Sequence, residues 1–113
     1  TVKHSDVVIN LGSTMAHDFA VYNKPCLYLN YNPVKKSTCK VEMCYGFEHF
    51  RSMEGLSAVG WINNKSEISK KIKTAIDNPE RIGQDRKKWM ECIVHHPLDR
   101  NSNLIAEIIT EIK

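Results

Sequence analysis

The residues whose types and spacing could do chemistry lie near the start of the chain. Leu11-Gly12-Ser13-Thr14 closes a short apolar run and opens a helical pattern. Gly12 lets backbone or ligand approach closely, the Ser13 and Thr14 hydroxyls can donate hydrogen bonds, and the first amides of the following helix carry partial positive charge. A diphosphate is the ligand that such a loop suits; the plainer reading is that Gly12 turns the chain and Ser13 caps the helix. His17 and Asp18 fall in the first turns of that helix, on the side expected to lie away from Met15, Phe19 and Tyr22. There Asp18 can accept two ribose hydroxyls and the His17 imidazole can donate to a phosphate oxygen, or the two can simply face solvent. Cys39, Cys44 and His49 make a poor metal site, because the cysteine gap is wrong and a fourth ligand is missing.

These residues need a scaffold, and the surrounding pattern supplies one. Residues 6–10 read as a buried strand, 14–23 as a helix, and 26–29 as a second strand after Asn23-Lys24-Pro25, which together make a βαβ unit. Ligands in such sheets bind beyond the carboxyl ends of the strands, where the Gly12 loop falls. Residues 33–54 lose periodicity: Lys35, Lys36, Ser37, Thr38 and Lys40 suggest an exposed loop, with a short helix within 45–53. Residues 57–62 form the third expected strand. A helix at 65–77 carries the capping-box pair Asn64 and Glu67, and Asn78-Pro79-Glu80 starts another whose buried face is Ile82, Trp89 and Ile93, ended by His95-His96-Pro97. Leu104, Ile105, Ile108, Ile109 and Ile112 give the last helix one apolar stripe, expected to pack on the protein as a terminal strut.

The 113 residues fit one domain, 1–113, long enough to bury a core. A net charge of +3 is too small to indicate DNA or RNA binding. Lys70, Lys71, Lys73, Arg86, Lys87 and Lys88 read as solvated helix faces. The four cysteines form no disulfide framework, which favours a reducing, cytoplasmic setting, and no apolar run is long enough to span a bilayer. The start at Thr1, almost directly before a strand, suggests a piece of a larger protein.

The run from Gly12 to Pro25 resembles the donor-site segment of GT-B glycosyltransferases: a glycine, five residues, an acid, six residues, a proline. It is similar as well to the non-hydrolysing UDP-N-acetylglucosamine epimerases. The nearest likeness is to bacterial polymer transferases such as CDP-glycerol glycerophosphotransferases and capsule enzymes, whose Ser-Ser, Asp-Phe and Lys-Pro pairs correspond to Ser13-Thr14, Asp18-Phe19 and Lys24-Pro25. The strand at 58–62 and the helices after it also resemble this superfamily, although 33–54 carries none of its signatures.

The resemblance implies a Rossmann-like parallel sheet flanked by helices, the C-terminal half of a GT-B fold, with a helical C-terminal end. It implies a UDP-type or other nucleotide-diphosphate sugar as the substrate held by Gly12, Ser13, Thr14, His17 and Asp18, with no cofactor and no obligatory metal. Ser13 and Thr14 would meet the phosphates and Asp18 the ribose. The general base would reside in an N-terminal partner domain, so that this chain alone is inactive, and the acceptor would be a glycan or lipid, which places the enzyme in the cytoplasm or against the inner membrane face in polysaccharide biosynthesis. Two alternatives stay open: half of an epimerase, and a non-enzymatic phosphate-binding α/β module.

Overall fold

The computed structural model describes residues 2–34, 38, 40–94 and 100–112. Its centre is a three-stranded parallel sheet, β1 (Val8–Asn10), β2 (Cys26–Leu29) and β3 (Gly60–Ile62), in the order β1-β2-β3. Val8 pairs with Cys26 and Leu27 with Gly60. The helices are α1 (Met15–Val21), α2 (Val41–Tyr45), α3 (Glu48–Arg51), α4 (Ile68–Asp77), α5 (Gly83–Ile93) and α6 (Asn101–Glu111). Short 3-10 turns precede β1, α4 and α5. The expected class, an α/β fold with a small parallel sheet flanked by helices, is thus present.

The central strand explains the core. Cys26, Leu27 and Tyr28 are all buried, as an uninterrupted apolar run requires when both faces of a parallel strand are covered. The third strand is shorter than the expected 57–62; Ala58 and Val59 are buried, but ladder pairing begins only at Gly60.

Helix α1 buries Ala16, Phe19 and Ala20, the i, i+3, i+4 stripe, while Met15 and Tyr22 are about half exposed. The expectation that Met15, Phe19 and Tyr22 share the buried face is therefore corrected: two alanines bring the helix close enough for Phe19 alone to fill the gap. The helix ends in a Schellman motif, with the Lys24 amide donating to Phe19 O at 2.8 Å, the Asn23 amide to Ala20 O at 2.9 Å, and Asn23 at φ 52°. Pro25 forbids its continuation. The Lys24 ammonium donates to the carbonyls of Val2, Lys3 and Ser5 at 2.8–3.0 Å, which uses all three donors to close the first 3-10 turn.

The stretch that lacks periodicity folds into α2 and α3, and it supplies the core with Val41, Phe50 and Met53. Asn32 starts it, accepting the Val41 amide at 3.0 Å while its own amide reaches the Glu42 carboxylate. Tyr45 stacks on Tyr28 and meets Trp61 edge-on, with ring centroids 5.3 and 4.9 Å apart. Lys35, Lys36, Ser37 and Cys39 lie outside the described residues.

Before α4 the Glu67 carboxylate accepts the Asn63 amide at 3.2 Å and the Asn64 side chain at 2.7 Å, while the Glu67 amide donates to the Asn64 backbone carbonyl and not to its side chain, a variant of the capping box. Helix α5 packs on α1 through Trp89, which is wholly buried and donates to Ser52 Oγ at 2.9 Å. Ile82 and Ile93 are half-buried beside it.

Two further expectations fail. Arg86, grouped with Lys87 and Lys88 as solvated, is 1% exposed, whereas the two lysines do face solvent. The stripe of α6 stays largely uncovered among the described residues: Leu104 is half-buried, but Ile105, Ile108, Ile109 and Ile112 are 57–79% exposed, so α6 does not act as the expected strut there. His95, His96 and Pro97, the expected stop of the preceding helix, lie outside the described residues; α5 ends before them, at Ile93.

Candidate functional site

The β1–α1 loop leaves the carboxyl end of β1 and turns at Asn10, whose Oδ1 accepts the Ser13 amide at 3.1 Å and whose Nδ2 approaches Cys26 Sγ at 3.5 Å. An Asn at this place braces the turn with its own side chain. Tyr28 adds a second brace by donating its hydroxyl to Ser13 O at 2.9 Å.

Gly12 sits at φ +60°, which side chains rarely tolerate. A Cβ there would stand 3.3 Å from Cys44 Cβ and 3.5–3.6 Å from the rings of Tyr45 and Phe50. The close approach that glycine permits is thus to α2 and α3, rather than to open space for a ligand.

Ser13 is half-buried and its hydroxyl accepts the Met15 amide at 3.2 Å. The Ala16 amide donates to Ser13 O and the His17 amide to Thr14 O. Three amides at the head of α1 are therefore engaged within the loop, and the expectation that they stand free for a diphosphate is corrected. Thr14 is exposed and makes no side-chain cap bond, so its hydroxyl faces solvent.

His17 and Asp18 part company. Asp18 is exposed and borders an open recess of about 360 Å³ with Val2, Lys3, Val21 and Tyr22. His17 turns inward: its ring meets Trp89 edge-on at 4.7 Å and its Nε2 is buried without a hydrogen-bond partner among the described residues. Burial holds its pKa below the usual value, the His49 charge lowers it further, and Asp18 opposes both. The expectation that His17 shares an outward face with Asp18 does not hold, because the ring fills space between α1 and α5. Desolvation likewise pushes the Tyr28 and Tyr45 phenols up.

Along the exposed side of α1, Thr14, Asp18 and Tyr22 form a stripe spaced by four residues, with the exposed Met15 and Val21 on the same helix. Among the described residues no cluster of three His, Cys, Asp or Glu side chains could hold a metal; Cys39, one of the three weighed for that role, lies outside them. A more enclosed cavity lies elsewhere, at the amino ends of β2 and β3. The class that the fold defines is a small parallel α/β domain of Rossmann-like type at the coarse level. Compared with known proteins, the chain matches no family model, no curated protein and no solved structure.

Proposed function

We propose that the chain binds the nucleotide part of an activated sugar or polyol donor through the Thr14-Asp18-Tyr22 stripe, as the donor-side domain of a GT-B-type glycosyltransferase. The observation that carries the reading is that a hydroxyl, a carboxylate and an aromatic ring stand exposed along one face of α1, the helix that follows the carboxyl end of β1. At a rise of about 1.5 Å per residue the three lie about 6 Å apart along the axis. That order suits a phosphate at Thr14, ribose hydroxyls at Asp18 and an apolar surface at Tyr22. Agreement of the Gly12 to Pro25 spacing with GT-B donor segments supports the same reading. Ser13 then serves the loop, and His17 the seat of α1 on Trp89.

In a transferase of this kind the leaving diphosphate gathers charge as the sugar bond breaks, and fixed donors placed where that charge develops lower the barrier. This chain's share is binding and orientation. The acceptor's base belongs to a partner domain, so residues 1–113 alone should transfer no sugar.

Titration of the chain with UDP, CDP, GDP and ADP by calorimetry tests the proposal. One nucleotide should be preferred, and Asp18→Ala should weaken it about tenfold or more, because hydrogen bonds to a charged group contribute about 1.5–3 kcal/mol. Failure of all four to bind, or equal binding by Asp18→Ala, would refute it.

A further inference from the structure

A second feature stands apart from the nucleotide stripe and does not depend on it. Arg86 is a guanidinium at 1% exposure that forms no ion pair among the described residues. Its Nε donates to Asn23 Oδ1 at 3.2 Å and its Nη2 to the carbonyls of Asn23 and Pro79. Nη1 is buried and has no partner among the described residues. Glu80 forms no hydrogen bond to this cation, but its charge acts on it through space and offsets part of the desolvation; Asn23 links the two, its Nδ2 donating to both carboxylate oxygens at 3.1 and 2.8 Å. Buried charges are ordinarily paired, and desolvation here works against the charged form, lowering the Arg86 pKa. Arginine nevertheless keeps its proton in proteins, so the cation stays.

Arg86 lines a cavity of about 230 Å³ at the amino ends of β2 and β3, closed by the end of α4 and the 3-10 turn Pro79–Ile82. Lys71 and Arg81 line it too, and no acid does. Among the described residues neither Lys71 nor Arg81 forms an ion pair. Leu27, Val59, Ala75 and Ile82 provide apolar walls, with Ser57, Thr74 and Asn78 as neutral polar groups in the lining. Apolar walls with a few convergent polar groups mark a small-molecule site, and the volume falls below the roughly 300–1,000 Å³ of drug-sized ligands.

We propose that this cavity binds a small organic oxyanion, a phosphomonoester or carboxylate on a short apolar body, with Arg86 at its floor and Lys71 and Arg81 at its sides. The anion supplies the direct ion pair that Arg86 lacks among the described residues, in surroundings where water screens little. Trp61 also lines the cavity, so occupancy should change indole fluorescence.

The test titrates the 113-residue chain with phenyl phosphate, benzoate and uncharged benzyl alcohol, and follows fluorescence and ligand-observed NMR. A saturable response to an anion at least tenfold tighter than to benzyl alcohol is expected, and the tighter anion names the class. The double variant Lys71→Ala/Arg81→Ala, which leaves the Arg86 bonds intact, should weaken it tenfold or more, whereas Lys87→Ala/Lys88→Ala, which removes the same charge from the exposed face of α5, should leave it unchanged. Equal weakening in Lys87→Ala/Lys88→Ala would make the response one of overall charge and overturn the assignment. So would the absence of a saturable response, equal affinity for benzyl alcohol, or a double variant that binds as tightly as the parent.

Discussion

Packing against Trp89 takes the His17 ring partly out of water, which lowers its pKa and gives the protein part of its pH response. A buried imidazole whose folded pKa is below its ordinary 6.5 binds fewer protons than the unfolded chain does. Stability should therefore be fully present above about pH 7 and fall as the pH drops through 6.5 toward the folded value. Urea titrations at about pH 7.5 and about pH 5.5 should record that fall, and His17→Phe, which keeps an aromatic ring beside Trp89, should flatten it; an unchanged slope would contradict the burial account. At this scale the sequence was only partly legible. Asp18 and Thr14 are exposed as the helix position suggested, but His17 is one residue from Asp18 and about 100° around the helix, enough to turn its ring onto Trp89 and leave it half-buried. Arg86 was illegible for a different reason: in the run Arg86-Lys87-Lys88 nothing local distinguishes it, and only the fold brings Asn23 and Pro79 to its guanidinium.

The loop that carries the candidate site is held by elements distant in sequence. Gly12 packs on α2 and α3, and Tyr28 of β2 holds Ser13. Gly12→Ala should cost about 1–2 kcal/mol for the left-handed backbone alone, plus displacement of Cys44 and Tyr45. Gly55 gives a control: it has φ +77°, yet a Cβ placed there would meet no atom within 4 Å, so Gly55→Ala should cost only the backbone share. Denaturant midpoints of the two variants compare them directly, and equal losses would mean that the contact with α2 and α3 matters little. The strands and α1 were readable because an apolar run, Gly12 and Pro25 mark their limits. The face of α1 was not, since Met15 and Tyr22 outweigh Ala16 and Ala20 in hydrophobicity while the alanines win the close contact. Helices α2 and α3 left only a faint trace, one short helix expected within 45–53, because five- and four-residue helices show no period.

Over the whole molecule, the radius of gyration is 16.5 Å, against about 13 Å for a compact chain of this length. Helix α6 buries no residue, and its amphipathic pattern marked its existence but could not say what would cover it. Because it buries no residue, Ile108→Asp should change stability by under about 0.5 kcal/mol, whereas Ile62→Ala in the core should cost about 2–5 kcal/mol. Comparable losses would show that α6 packs on the domain after all. The strand order β1-β2-β3 contains no reversal, so the described sheet forms no switch-point crevice of its own, and the nucleotide reading rests on the outer face of α1. The most direct test follows from that. Amide shifts of the labelled chain should be recorded while the preferred nucleoside diphosphate is added. Saturable changes centred on residues 12–18 and Tyr22 are the expected result; no changes, or changes confined to the cavity around Leu27, Thr74 and Arg81, would contradict the proposed site.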